Sequence, residues 1–132
     1  VAAASDIVVN DGQSTPVAHT FSPARKDGGL VIYEERTTAN SPRGFYTLGV
    51  SQTSPKAANA VIRTKLSFEV PIEVHDTNLD VYTYPSSMRF NIDVLMPKDI
   101  STDDRADMAA YIKNILTHAT IQALIANLDA PY

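Results

Sequence analysis

STDDRADMAAYIKNILTHATIQALIANLDAPY, residues 101–132, reads as a helical tail on an otherwise strand-like chain. Met108, Tyr111, Ile112, Ile115, Leu116 and Ala119 recur at i, i+3, i+4, i+7, i+8 and i+11, which draws one apolar stripe along a helix. Asp103, Asp104, Asp107, Lys113, Asn114 and Thr117 fall on the other side, so the stripe needs a surface to cover. Ser101 or Thr102 supplies a cap for the first free N–H groups. Asp103 and Asp104 suit the positive end of the helix dipole, and His118 suits the negative end. Ile121, Leu124, Ile125 and Leu128 continue the spacing until Asp129, Ala130, Pro131 and Tyr132 stop it. An unbroken helix from Thr102 to Asp129 would be about 42 Å long, against a radius of gyration of roughly 14 Å for a compact chain of this size. The spacing therefore predicts either a break at 117–120, with Thr120 capping a second helix, or a helix that packs on another subunit.

Upstream, the period changes from helical to two. Met88 to Met96 alternates Met88, Phe90, Ile92, Val94 and Met96 with Arg89, Asn91 and Asp93. Phe45 to Ser54 sets Tyr46, Leu48 and Val50 against Thr47, Gly49, Ser51 and Thr53. Ala60 to Val70 sets Ile62, Leu66, Phe68 and Val70 against Arg63, Lys65, Ser67 and Glu69. These strands predict an antiparallel sheet with an apolar face for the helices and a polar face left over. Ser5 to Asp11 and Val17 to Ser22 read as an N-terminal hairpin, and Leu30 to Thr38 as a further strand. Pro23 and Lys26-Asp27-Gly28-Gly29 read as a break between them, and Asn40 to Gly44 as the next turn. Pro71 to Ser87 shows no clean period and reads as a long loop with two strand stubs, its pairing limited by Pro85.

The chain has 132 residues, 44% of them apolar, which fits one domain with one sheet and one helical layer. It has no cysteine, so neither a disulfide nor a thiolate nucleophile is available. No apolar run has the length of a membrane span and the start lacks a signal-peptide pattern, so the chain reads as cytosolic. The net charge of −4, from 11 Lys and Arg against 15 Asp and Glu, argues on its own against a nucleic-acid binder. Much of the acid, however, lies in the tail (Asp103, Asp104, Asp107, Asp129) and the loop (Asp76, Asp80), away from the sheet.

Catalytic patterns are thin. His19, His75 and His118 are dispersed, without zinc-ligand spacing. Asp76, Asn78 and Asp80 have the alternate oxygens of a calcium loop but lack its glycine and its final glutamate. Gly28-Gly29 lacks the setting of a phosphate loop and reads as a turn. The polar face is different, because Thr47, Gly49, Ser51, Arg63, Lys65, Ser67, Arg89, Asn91 and Asp93 arrive from three strands at one period. An ordinary solvated face would look the same. As a binding face, Arg63, Lys65 and Arg89 would neutralise phosphates, while Thr47, Ser51 and Asn91 would meet base edges. Single-stranded or looped RNA presents such edges directly.

Several stretches resemble the coat proteins of the single-stranded RNA bacteriophages, the leviviruses, of the Qβ type. They are VSQTS at Val50 to Ser54, DV at Asp93-Val94, STDDR at Ser101 to Arg105 and NLDAPY at Asn127 to Tyr132. The resemblance spans essentially the whole chain. It implies an α+β fold comprising an N-terminal hairpin (1–25), an antiparallel sheet (30–99) with a long loop at about 73–87, and two helices (101–129). It further implies a homodimer in which each subunit's helices pack on the partner's sheet, closing into a T=3 icosahedral capsid assembled in the bacterial host cytoplasm. The polar face would line the shell, hold single-stranded genomic RNA, and bind an RNA hairpin as a translational repressor. Thr47 and Ser51 match small hydroxyl residues of that inner face, Arg63 and Lys65 its basic and polar positions, and Asn91 and Asp93 its last-strand pair. Gly49 departs, standing where the family commonly has a serine at a base-binding pocket. Phe90 reads as facing the helices, which leaves no aromatic to stack on a loop base.

The reading is therefore a non-enzymatic capsid protein with no cofactor, no metal and no membrane partner. One rival is a dimeric α+β binding domain that uses the polar face for another ligand. Another is a hydrolase built on His75 with Asp76 or Asp80, for which no nucleophile or oxyanion site is apparent.

Overall fold

Gly28 and Gly29 make a two-residue turn, with Gly28 at φ +59, a backbone angle that side chains disfavour. The computed structural model describes residues 4–57 and 60–130. In it, this turn joins β2 (Ala18–Asp27) to β3 (Leu30–Glu35), with Asp27 opposite Leu30. The strands β1 (Ile7–Asn10), β2, β3, β4 (Tyr46–Thr53), β5 (Val61–Asp76) and β6 (Val81–Pro97) form one antiparallel meander in chain order. Two helices follow, α1 (Thr102–Thr117) and α2 (Ala119–Asn127). The chain divides into two compact units between Leu95 and Met96. The expected α+β fold of hairpin, sheet and two C-terminal helices is what the structure shows.

In the sheet unit the period-two reading becomes register. Leu48 faces Tyr33 on β3 and Phe68 on β5, and Val50 faces Val31 and Leu66. Phe21, Tyr33 and Leu48 are buried, and Ile7, Val31, Tyr46, Val50, Leu66 and Phe68 pack around them. Phe68 has ring centroids 5.7 Å from Phe21 and 5.2 Å from Phe90, so an aromatic row crosses the sheet from β2 to β6. Phe90 and Met88, on the apolar side of β6, are 48% and 59% exposed in the single chain.

Three sequence expectations change. Pro23 does not break the chain, because β2 carries it at a bulge: Pro23 opposes Tyr33, Arg25 opposes Ile32, and Ala24 is the extra residue. The strand from Leu30 ends at Glu35 and does not reach Thr38. Its carboxylate draws the chain back by accepting from the Thr37 N–H and hydroxyl, both at 2.6 Å, and from the Thr38 N–H at 3.1 Å. The loop at 73–87 is instead a β5–β6 ribbon closed by a turn at 77–80. Pro71 lies past the last pairing of β5 with β4, and Pro85 lies on the outermost strand, where a missing N–H is tolerated. The ribbon shows no alternation because residues 73–75 and 81–83 are exposed, so no buried face selects an apolar set. Tyr84 donates to Glu73 at 2.7 Å, Asn40 binds the same carboxylate through its N–H (3.1 Å) and side-chain amide (2.9 Å), and Tyr82 stacks on His75 at 4.4 Å.

In the helical unit the break falls where the spacing placed it, but the capping residue differs. Ser101 accepts from the Asp104 N–H at 3.1 Å and starts α1. His118 ends α1 and caps α2, its Nδ1 accepting from the Thr120 N–H at 3.2 Å. That bond makes His118 the acceptor that caps α2, and Thr120 the donor and not the cap. Leu128 turns left-handed at φ 56 and closes α2. Pro131 and Tyr132 lie outside the described residues, as do Ala58 and Asn59. No side chain of either helix is buried: Tyr111, Ile115, Ile125 and Leu128 are 60%, 57%, 63% and 86% exposed. Among the described residues no helix is long and apolar enough to cross a membrane.

A polar cluster fastens the hairpin to β3. Glu35 is fully buried, and His19 lies between it and Asp11, at 3.3 Å from Glu35 Oε2 through Nδ1 and 3.1 Å from Asp11 Oδ2 through Nε2. The Asp11 hydrogen bond raises the His19 pKa above its ordinary 6.5 against the opposing effect of burial. Burial would raise Glu35, but the bonds from Thr37, Thr38 and His19 prevail and hold it at about 2. The Val17 N–H bond and the His19 bond hold Asp11 below its usual range. The stabilisation from charged His19 is fully present below pH 6.5 and is lost as pH rises through the elevated value. That from Glu35 is present above 4.5 and is lost as pH falls through about 2. The urea midpoint should thus decline as pH rises above 6.5, and His19→Gln should remove most of that decline; an unchanged pH profile in the variant would show that the cluster does not anchor the hairpin.

Candidate nucleic-acid interface

The register that buries Leu48 also sorts the polar side chains onto the opposite face. Thr47 stands between Glu34 and Glu69, Gly49 between Ile32 and Ser67, Ser51 between Leu30 and Lys65, and Thr53 beside Arg63. Gly49, Ser51, Lys65, Ser67, Asn91 and Asp93 line one depression of about 410 Å3 on this face. Six of the nine residues picked out by alternation therefore converge. Arg63 and Arg89 flank the depression: Arg63 Nε lies 3.6 Å from Asp93, and Arg89 donates to Glu69 at 3.3 Å. Thr47 stands beside Glu69 on the neighbouring strand.

Sequence reasoning assigned no face to β3, so it missed Leu30, which forms part of the wall of the depression. The signal was present, since Leu30 and Ile32 alternate with the core residues Val31 and Tyr33. The depression is consequently mixed: an apolar flank, small hydroxyls, one amide, one lysine and one carboxylate. Such a lining suits a flat heterocycle with polar edges better than a bare phosphate.

Gly49 is the floor. A Cβ there would lie 2.7 Å from Ser67 Oγ, with Leu30 and Ile32 methyls at 3.6 and 3.8 Å. The missing side chain keeps the space open. Lys65 is exposed, and among the described residues no carboxylate pairs with it.

The remaining titratable groups do not assemble chemistry. His75 Nε2 meets Asp80 at 3.0 Å beside the turn of the ribbon, with its ring stacked on Tyr82. Asp76 accepts from the Asn78 and Leu79 N–H groups at 3.0 and 3.2 Å, so its oxygen is used in shaping the turn. Among the described residues no group of three metal-ligating side chains forms.

The model of one protein family, the levivirus coat protein, matches residues 2–132. The chain belongs to this family. Solved structures agree with the assignment. The subunit of the virus-like particle of bacteriophage ESE058 aligns at TM-score 0.87 and 30% identity, covering 99% of this chain and 100% of that one. That of Beihai levi-like virus 21 shares the fold at TM-score 0.87 and 23% identity, with 99% of each chain covered. The capsid protein of bacteriophage GA shares it at 0.73 and 16%, covering 97% and 96%. Comparison with curated proteins returned no significant match. This coat protein is a structural capsid component and not an enzyme. The His75–Asp80 pair is accordingly part of the coat protein's ribbon, not a catalytic dyad.

Gly49→Ser should cost under about 1 kcal/mol, because the atom it displaces is a hydroxyl that can turn to another rotamer. The cost should shrink in a Ser67→Ala background; a loss of several kcal/mol by urea denaturation in both would mean that the close approach is enforced by backbone.

Proposed function

We propose that this coat protein is a homodimer whose subunits exchange helices over one another's sheets, that the dimers close into a T=3 icosahedral shell, and that the polar sheet face holds single-stranded RNA. One observation carries the reading: the sheet has a depression on one face, lined by polar side chains from three strands and by Leu30 from a fourth, and uncovered Met88 and Phe90 on the other, while α1 and α2 have no buried side chain at all. An apolar helix stripe left in water forfeits roughly 25 cal/mol per Å2. A second copy supplies both missing surfaces at once, because its sheet receives these helices and its helices cover this sheet.

On the polar face, Lys65 and the arginines neutralise phosphate, and Ser51, Ser67 and Asn91 offer hydrogen bonds to a base seated over Gly49. The same contacts suit an RNA hairpin with unpaired loop bases, the basis for translational repression. Assembly takes place in the bacterial host cytoplasm around the genome, and the ribbon tips at 77–80 make contacts between dimers.

Negative-stain microscopy of the protein expressed alone, with the ultraviolet absorbance ratio of the same fraction, tests the whole reading. Uniform particles rich in nucleic acid are expected, and a small nucleic-acid-free dimer would return the polar face to another ligand. Arg63→Ala with Lys65→Ala should lower the RNA content and flatten the salt dependence of binding, since fewer counterions are released; an unchanged slope would remove RNA from this face. Ile112→Asp should abolish dimerisation by placing a charge in the helix–sheet contact. An intact dimer, or a soluble folded monomer, in light scattering would contradict helix exchange.

A further inference from the structure

The polar face of β5 is a charge ramp. Arg63, Lys65, Ser67 and Glu69 follow one another at every second residue, from basic to acidic. At the acidic end stands Glu34, across Thr47 from Glu69, and Glu34 pairs with Arg36 at 3.1 Å. Arg89, 67% exposed, reaches from β6 into this acidic end and hydrogen-bonds Glu69 at 3.3 Å. The other arginine, Arg63, lies 3.6 Å from Asp93, beyond hydrogen-bond range. Two of the three cations are thus held by carboxylates of the face itself, and a phosphate approaching Arg89 must displace a bonded one.

Resting on the RNA reading, we infer that Glu69 is a specificity-determining residue that screens Arg89 from indiscriminate phosphate contact. RNA is drawn first to Lys65 at the depression, and Arg89 engages only a strand whose path carries a phosphate close enough to replace the Glu69 carboxylate. Nonspecific affinity is thereby reduced while a shaped RNA, anchored by base contacts over Gly49, still gains the Arg89 contact. Glu69 is also the informative residue to change. It does not line the depression, whereas Asp93 does, and glutamine preserves its size and a hydrogen bond to Arg89.

The test is the salt dependence of binding of an unstructured oligouridylate to the full-length coat protein, compared for wild type, Glu69→Gln, Arg89→Ala, the double variant and Lys65→Ala. Glu69→Gln should bind up to about fivefold tighter at low salt, the scale of an exposed ion pair, with a log–log slope steeper by roughly 0.7. In the Arg89→Ala background the same substitution should change neither quantity. If wild type binds in a Lys65-dependent manner and Glu69→Gln leaves affinity and slope unaltered, the screening role is wrong while the RNA reading stands. A gain that persists without Arg89 would reduce Glu69 to generic repulsion and also overturn the inference. If wild type shows no binding at all, the RNA reading falls and takes this one with it.

Discussion

Leu48 packed between Tyr33 and Phe68 is the contact on which the sheet's two faces depend. Strand side chains alternate with period two, so a slip of one residue in β4 would move Leu48 to water and carry Gly49, with Ser51 and Thr47, into the core. The buried pairs exclude that slip, and in doing so they place Gly49 beside Ser67 and Ser51 beside Lys65. The polar face is therefore a by-product of core register. Nothing on the polar face has to specify its own position.

That core is thin for the chain that it supports. Phe21, Tyr33 and Leu48 are its buried apolar members, and the aromatic row ends in a half-exposed Phe90. Both units leave apolar area in water, β6 through Met88 and Phe90, the helices through Tyr111, Ile115 and Ile125. This chain belongs to the levivirus coat protein family, and marginal burial in the isolated subunit fits a capsid component whose remaining surface is completed by other copies. The polar cluster around buried Glu35 offsets part of the deficit within one chain, because Asp11, His19 and Glu35 tie the hairpin to β3 through bonds that the apolar core does not provide.

Charge on the polar face is balanced locally, not simply basic. Lys65 stands apart from the acids at the depression, while Glu69 and Asp93 hold the two arginines. This arrangement is consistent with a chain of net charge −4.

The helical stripe, the Ser101 cap, the break near 118, the alternation in β4 and β5 and the composition of the polar face were all legible in the residues, because each follows from local periodicity or capping chemistry. Those features, with the stretches at 50–54, 101–105 and 127–132, determined the fold class and the family. Only the tertiary structure decided the rest. Pro23 read as a break and Pro85 as a limit on pairing because proline's cost depends on whether a neighbour needs its N–H, which a bulge or an edge strand resolves and the sequence does not display. The ribbon beyond Glu73 has no buried face and hence no pattern to read. Glu35, the fully buried carboxylate, looks in sequence like any other charged residue at a strand end. Its burial is set by His19 and the threonines at 37 and 38, and the screening of Arg89 by Glu69 is set by a neighbouring strand. The His19–Glu35 and Arg89–Glu69 contacts join side chains 16 and 20 residues apart, and only folding brings them together.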